Sequence, residues 1–403
     1  MIIMYFREIM LGKRKGFIIR LFLRVLSLVY FVLIKIRMCG YKYSFLREKK
    51  LPVRVISVGN LTVGGSGKTP AIIEIASLLQ DAGKRVGVLI RGYQGRYERQ
   101  QGVVLDGKIK AQRHKDTEAQ RTEHRGRKVA VSNRQSAVGC VGAITCGSPF
   151  DAGDEACLLS KNLPCVPILV GKDRWTSGRY AIQKFDCDTL LLDDGFQHLK
   201  LYRDEDILLH DVSIPQQGLR LFPEGVLREP LSSMKRARVI ILTHTDMVAD
   251  IAPYMEMVKR LNPGALILTS IHLPLRLIRG RQGVGIRDQG DLSTYPLSLI
   301  KGKTILACSG IGSPESFEHS LRQFEPNGII SLRFPDHYQY DSACLMRIEE
   351  MAKEADMVVT TEKDMIRLAE KYTGSFLLFF LKIRLLITTP NWQEDLLRYL
   401  CSD

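Results

Sequence analysis

What this 403-residue chain lacks narrows its chemistry first. Its nine cysteines, at 39, 140, 146, 157, 165, 187, 308, 344 and 401, form no C-x-x-C pair and no regular framework. A zinc ribbon or a disulfide scaffold is therefore excluded, and the pattern suits buried thiols in a reducing compartment. No G-x-G-x-x-G turn occurs, which argues against a dinucleotide fold. With two Trp and no known nucleic-acid module, the chain has no aromatic platform for stacking bases. Long uncharged apolar runs are also missing. The longest near the N-terminus, Val25–Ile34, is ten residues, or about 15 Å as helix against a hydrocarbon core of about 30 Å. No small residues follow Ile34, and Ile36-Arg37-Met38 precedes Cys39, so neither a signal-peptide nor a lipoprotein cleavage site is present.

What is abundant is positive charge. The net charge is +15, and Met1–Arg54 carries thirteen Lys and Arg against Glu8 and Glu48. A second basic stretch, Lys108–Arg134, has nine cations against three acids. Such an excess predicts an anionic partner, a membrane or a nucleic acid. The greasy segment Phe17–Ile36 decides for the membrane. Arg20, Arg24 and Ser27 fall at i, i+4 and i+7, and Lys13, Arg14, Lys15, Lys35 and Arg37 flank the run. This reads as a basic amphipathic helix lying in the interface; a spanning helix with Arg20 snorkelling and a helix packed on its own protein are the alternatives. No nucleic-acid partner and no obligate protein partner is implied.

Beyond residue 50, apolar runs alternate with helical patterns, as in parallel α/β folds. Strands are expected at Val53–Val58, Val86–Ile90, Thr189–Leu192, Ile207–Leu209, Val239–Leu242, Ala265–Thr269, Thr304–Cys308, Ile329–Phe334 and Met357–Thr360. The polar, basic stretch 101–136 interrupts the pattern and reads as a mobile insertion. The expected organisation is an anchoring helix in 1–50, a core lobe in 51–275, a Gly-rich linker in 276–300 and a smaller α/β lobe in 301–403.

The most specific motif follows the first strand. Gly59-Asn60-Leu61-Thr62-Val63-Gly64-Gly65-Ser66-Gly67-Lys68-Thr69-Pro70 leads into a helix with an apolar face. Strand, Gly-rich turn, Gly-Lys-Thr and helix together form the P-loop arrangement. Its backbone amides, from Thr62 and Val63 through Gly64, Gly65, Ser66 and Gly67, would close around phosphates at a helix N-terminus. Lys68 would bridge the β- and γ-phosphates, and Thr69 would ligate Mg²⁺. Thr62 stands where the usual pattern has its first glycine.

Leu190–Leu192 ends in Asp193-Asp194-Gly195, an apolar strand closing on two carboxylates, one of which is expected near the Mg²⁺ of a bound nucleotide. Because strand side chains alternate, a turn is needed for both to serve one site, and Gly195 is the residue expected to supply it. Other candidates are Asp154 and Glu155 at a helix start, Arg91 at a strand end, and His337 in a turn. Composition and spacing leave their roles open, and they also leave open an NTPase of the metallochaperone or amidotransferase type.

The accumulated motifs resemble the tetraacyldisaccharide 4′-kinase family of the lipid A pathway. Matching stretches include ISVGNLTVGGSGKTP, IRGYQGR, AGDEACLLS, VGKDRWTSGR, LLLDDGFQHLKLYRDEDI, FPEGVLREP, LACSGIGSPESF, FPDHYQYD and VVTTEKDMIRL, in family order from Ile56 to Leu368. The resemblance implies an α/β, P-loop NTPase-like core with a mostly parallel sheet, a smaller C-terminal α/β lobe and an N-terminal membrane-associated helix. It implies transfer of the ATP γ-phosphate, with Mg²⁺, to the 4′-hydroxyl of a tetraacylated glucosamine disaccharide 1-phosphate, giving lipid IVA. The expected location is the cytoplasmic face of the bacterial inner membrane, peripheral or monotopic. Carried over by motif, Asp154 matches the general base and His337 its partner. Lys68 and Thr69 match the P-loop pair, and Asp193 and Asp194 the acidic pair. Arg91, Glu155, Arg228 and Glu229 fall in motifs lining the substrate site. The departure is length: the segment between Arg91-Gly92-Tyr93 and Gly153-Asp154-Glu155 is considerably longer than is usual in the family.

Overall fold

The computed structural model describes residues 9–11, 17–92, 102–105, 142–145, 153–280, 293–368, 371–372 and 376–401. Most of the expected insertion at 101–136, and residues 281–292 of the expected linker, lie outside them. The chain divides into two compact units, one made of 1–50, 55–75 and 193–403, the other of 51–54 and 76–192.

The first unit opens with helix α1 (Phe17–Lys42). Its polar stripe faces the protein. Arg24 donates to Glu224 Oε1 at 3.2 Å, Ser27 Oγ donates to the Leu221 carbonyl at 2.9 Å, and Tyr30 Oη donates to the Arg228 carbonyl at 3.0 Å. Leu23 and Ser27 are buried, while Ile18, Phe22, Leu28 and Ile36 stand 81, 63, 64 and 64% exposed. The polar stripe visible in the sequence is thus taken up by the protein, and the apolar faces are left outside. A hydroxyl and a guanidinium can satisfy the carbonyls and carboxylate of the 221–228 segment, which apolar side chains cannot, so the polar stripe docks and the apolar faces remain outside. No helix among the described residues is long and apolar enough to cross a membrane.

Strand β1 (Arg54–Asn60) runs into the glycine-rich turn and then helix α2 (Lys68–Asp81), whose last turns belong to the second unit. In the second unit, β2 (Val86–Ile90) lies parallel to β5 (Ile168–Val170) and to β6 (Thr189–Asp193). Strand β3 (Gly102–Leu105) adds antiparallel to β5, and β4 (Gly142–Thr145) pairs with β3. Helices α3 (Asp154–Asn162) and α4 (Arg174–Phe185) complete this unit. The Asp173 side chain caps α4 by accepting from the Trp175 and Thr176 amides, satisfying two of its orphan donors.

In the first unit, β1, β7 (Glu205–Asp211), β8 (Val239–Thr243) and the first half of β9 (Leu266–Arg279) pair in that order, all parallel. The central strands β7 and β8 are buried along their whole length because both faces are covered, here by α5 (Ala252–Leu261) on one side, whose Val258 shares a core cluster with Ile240 and Leu242. Strand β8 is a continuous apolar run, whereas β7 carries Glu205, Asp206, His210 and Asp211.

Strand β9 does not stop at Thr269, where the sequence suggests an end. It runs on to Arg279, through the start of the expected linker, because its second half pairs antiparallel with β14 (Leu378–Ile387) and carries the short β10 (Thr294–Tyr295). Beyond β14, strands β13 (Met357–Thr361), β11 (Thr304–Ser309) and β12 (Gly328–Arg333) are parallel. Helices α6 (Pro314–Arg322), α7 (Ser342–Ala352), α8 (Glu362–Leu368) and α9 (Trp392–Cys401) complete the unit. Phe317 and Leu321 of α6 pack on Ile305, Val359 and Leu381.

Candidate active site

The glycine-rich turn owes its shape to two residues. Gly64 has φ +115° and Gly67 φ +80°, conformations that side-chain-bearing residues avoid. Thr62 is not among the positive-φ residues, so nothing in its backbone requires a glycine there. Its hydroxyl instead accepts from Asn60 Nδ2 at 3.1 Å, and it bridges to Leu227. The departure of Thr62 from the usual P-loop pattern is thereby accounted for.

Lys68 Nζ donates to Asn60 Oδ1 at 3.3 Å and lies 3.5 Å from Asp194 Oδ1. Arg228 Nη1 donates to both Asp194 oxygens, at 3.0 and 2.8 Å. The turn that presents Asp194 comes one residue before Gly195: Asp194 itself adopts φ +50°, while Asp193 is buried at the end of β6. Burial raises the Asp194 pKa, but Lys68 and Arg228 outweigh it and hold the carboxyl down at about 2. The carboxylate is therefore ionised across the physiological range. Arg228 is held by its own backbone amide on the Leu61 carbonyl at 2.6 Å, and Gln197 Nε2 donates to the Asn60 carbonyl at 3.0 Å. Neither Asn60 nor Gln197 is singled out by the sequence, since a polar residue inside a motif carries no periodicity signal.

Glu229, expected on the substrate side, is buried and accepts from Arg236 Nη1 at 2.7 Å, while that guanidinium stacks 4.2 Å over Phe196. Its charge is therefore compensated within the protein.

On the far side of the turn lies the loop after β11. A Cβ at Gly312 would fall 2.1 Å from the Gly65 amide nitrogen. This loop is pinned by Asp364, which is fully buried, accepts from the Gly310 amide at 3.0 Å and from Tyr340 Oη at 3.0 Å, and pairs with Arg367 at 3.1 Å. In the following turn, His337 takes φ +58°, and Lys363 Nζ donates to its Nε2 at 3.2 Å. An ammonium can only donate, so Nε2 is the bare nitrogen and Nδ1 carries the proton. Asp336 lies 3.6 Å from Lys363 Nζ.

Asp154, Glu155 and Arg91 are residues of the second unit. Asp154 opens α3 after Gly153 at φ +85°, is 8% exposed, and accepts the Glu155 amide on Oδ1 at 2.9 Å. Glu155 is half-buried and Arg91 exposed. The structure thus brings Lys68, Asp194 and Arg228 together at the glycine-rich turn, and groups His337 with Asp336 and Lys363.

The chain matches the family described as tetraacyldisaccharide-1-P 4′-kinase over 19–141 and 119–401, two stretches that overlap in the basic segment. It is 36% identical over 395 residues to a tetraacyldisaccharide 4′-kinase of Syntrophus aciditrophicus, covering 95% of this chain and 93% of that protein. It is 33% identical to one of Pelobacter propionicus, covering 98 and 97%. Among solved structures it is similar to LpxK from Aquifex aeolicus in complex with ATP, with TM-score 0.63 and 28% identity over 95% of this chain and 99% of that one. Family match, relatives and glycine-rich turn agree, and the chain belongs to the tetraacyldisaccharide 4′-kinase family.

Proposed function

We propose that the protein grips ATP at Gly64–Thr69 and directs its γ-phosphate to the 4′-hydroxyl of a tetraacyldisaccharide 1-phosphate. The observation that carries this reading is the convergence of Lys68, Asp194 and Arg228 on the glycine-rich turn. Lys68 is shared between Asn60 and Asp194. A triphosphate offers it stronger, doubly charged acceptors, and Lys68 exchanges Asp194 for them. Asp194 keeps Arg228, so the carboxylate stays ionised and in place.

A magnesium ion fits this donor set. Among the described residues no group of three or more His, Cys, Asp or Glu gathers as a metal site. A cation here would be held by the Thr69 hydroxyl, one or both of Asp193 and Asp194, and the phosphates, as suits a hard ion that takes few protein ligands. When bound, it would neutralise charge on the phosphate oxygens.

The sugar hydroxyl needs a base. Asp154 fits by residue type and by its preorganisation at the start of α3, and His337 would hold its charge state; these roles rest on the family motifs. Arg91 and Glu155 would contact the acceptor. The outward apolar faces of α1, flanked by cations, fit insertion among acyl chains at an anionic bilayer surface on the cytoplasmic side, where ATP is available.

Incubation with γ-labelled ATP and a purified disaccharide 1-phosphate tests the reading. Label should move to the lipid, and ATP should survive when the lipid is withheld. Equal ATP loss with and without lipid would instead identify an NTPase.

A further inference from the structure

Behind the glycine-rich turn lies a chain of three side chains that the mechanism above does not use. Asp211 ends β7, His244 follows β8 and His272 sits midway along β9. Asp211 Oδ1 lies 3.0 Å from His244 Nδ1, and His244 Nε2 lies 3.0 Å from His272 Nδ1. The other end of the chain touches the turn. His272 Nε2 is 2.5 Å from where a Cβ would stand on Gly67, and among the described residues this buried nitrogen has no hydrogen-bond partner. Gly67 therefore has two reasons to be glycine, its φ of +80° and the ring behind it.

The charge state of the chain can be worked out from its ends. Asp211 is buried, which raises its pKa, but His244 and the Ser213 hydroxyl and amide outweigh this and keep it ionised. The 3.0 Å approach of His244 Nδ1 to this carboxylate needs a proton on Nδ1, since a carboxylate only accepts, although the N–H is not aligned as a hydrogen bond. Two states remain. With both rings neutral, His244 Nε2 is bare, His272 must donate its Nδ1–H to it, and His272 Nε2 shows Gly67 a lone pair. With one more proton, His244 becomes a cation donating through Nε2, His272 accepts at Nδ1, and its Nε2 carries an N–H. A second cation on His272 is disfavoured, because burial and the neighbouring His244 hold its pKa down at about 3 despite Asp211.

Other charged groups are committed elsewhere. His210 packs on Tyr254, and burial holds its pKa down at about 4. Lys68 faces Asn60 and Asp194. On β14 the residue opposite His272 is Leu385, and the neighbouring Arg384 acts on Glu74.

We propose that the His244–His272 pair takes up one proton from solvent when the triphosphate of a nucleotide occupies the glycine-rich turn, converting His272 Nε2 from a lone pair into an N–H donor behind Gly67. This rests on the nucleotide reading above. The added negative charge favours the cationic state, and by linkage the cationic state favours the nucleotide. Nucleotide affinity accordingly falls as pH rises through the range in which the bound pair keeps its proton and the unbound pair has lost it, by at most about tenfold per pH unit, and levels off above that range.

The test is calorimetric titration with the magnesium complex of a non-hydrolysable ATP analogue, in two buffers of different ionisation heat, on the full chain, on His272→Gln and on His244→Gln. The nucleotide's own proton balance is common to all three. Wild type should take up close to one proton more than His244→Gln, while His272→Gln, whose amide oxygen can still accept from His244, separates the charge on His244 from the tautomer of His272. On wild type alone, ring ¹⁵N spectra should show His272 passing from the Nδ1–H to the Nε2–H tautomer as analogue is added. Tight binding with unchanged ring tautomers, or equal proton uptake by wild type and His244→Gln, would overturn the inference while leaving the nucleotide reading intact. Absence of saturable binding by wild type would sink both.

Discussion

Placing a methyl group at Gly312 offers a sharp probe of how closely the loop after β11 is fitted to the glycine-rich turn. The added Cβ would lie 2.1 Å from the Gly65 nitrogen and 2.9 Å from the Gly64 Cα and carbonyl carbon. All three are backbone atoms, so no side chain can swing away. Reaching an ordinary contact of 3.4 Å requires a retreat of about 1.3 Å. The Gly312 side resists this, because the Gly310 amide and carbonyl are tied to the buried Asp364–Arg367 pair. The turn must yield instead. Overpacking of this kind costs about 1–3 kcal/mol. Charged wholly to the binding-competent turn, that is about 5- to 150-fold in nucleotide affinity, with a further loss in turnover from displaced phosphates. Gly264→Ala is the matched control, since a Cβ there meets nothing within 4 Å. Equilibrium binding of a fluorescent ATP analogue measures both. If Gly312→Ala bound nucleotide within twofold of wild type, the close fit of loop and turn would have no bearing on the site.

Lys68→Ala should reduce phosphate transfer by about a thousandfold or more, through loss of a charge-assisted donor at the phosphates, measured as labelled lipid formed. Asp154→Asn should lose about 10²- to 10⁴-fold in transfer while binding ATP normally; a weakened nucleotide affinity would move Asp154 out of the base role. Asp194, with its carboxyl held at about 2, stabilises the fold above the unfolded value of about 3.9, and that stability is lost as pH falls toward 2. In Arg228→Gln the folded pKa rises, so acid unfolding should begin at higher pH. The loss near neutrality should be only about 1 kcal/mol, because the pair is partly solvated. Phe22→Asp with Val29→Asp, on exposed faces of α1, should cut pelleting with anionic vesicles about tenfold or more. These changes spare Ser27 and Tyr30, which deletion of the helix would also remove from the 221–228 segment.

The parallel strands were readable because strands buried on both faces, such as Val239–Thr243, are continuous apolar runs. Strand β5 was not, since Ile168–Val170 is only three residues long and follows two prolines within a few positions. Strand β14 carries Lys382 and Arg384 within an apolar run, a pattern equally compatible with helix. The glycine-rich turn was legible as a motif, because Gly64 and Gly67 must be glycine for backbone reasons. Contacts that assemble across the sheet were hidden. Arg228 is thirty-four residues from Asp194, and His244 twenty-eight from His272, so no local spacing joins them. The inward turn of α1 was also hidden: periodicity reveals that a helix has two faces but not which one the protein takes.

Phosphorus NMR of the reaction product weighs the central claim most directly. A chain that passes the γ-phosphate of ATP to a lipid-borne sugar should give a second phosphomonoester at the 4′ carbon with the 1-phosphate retained. Inorganic phosphate alone, accumulating while the disaccharide keeps a single phosphate, would contradict the account.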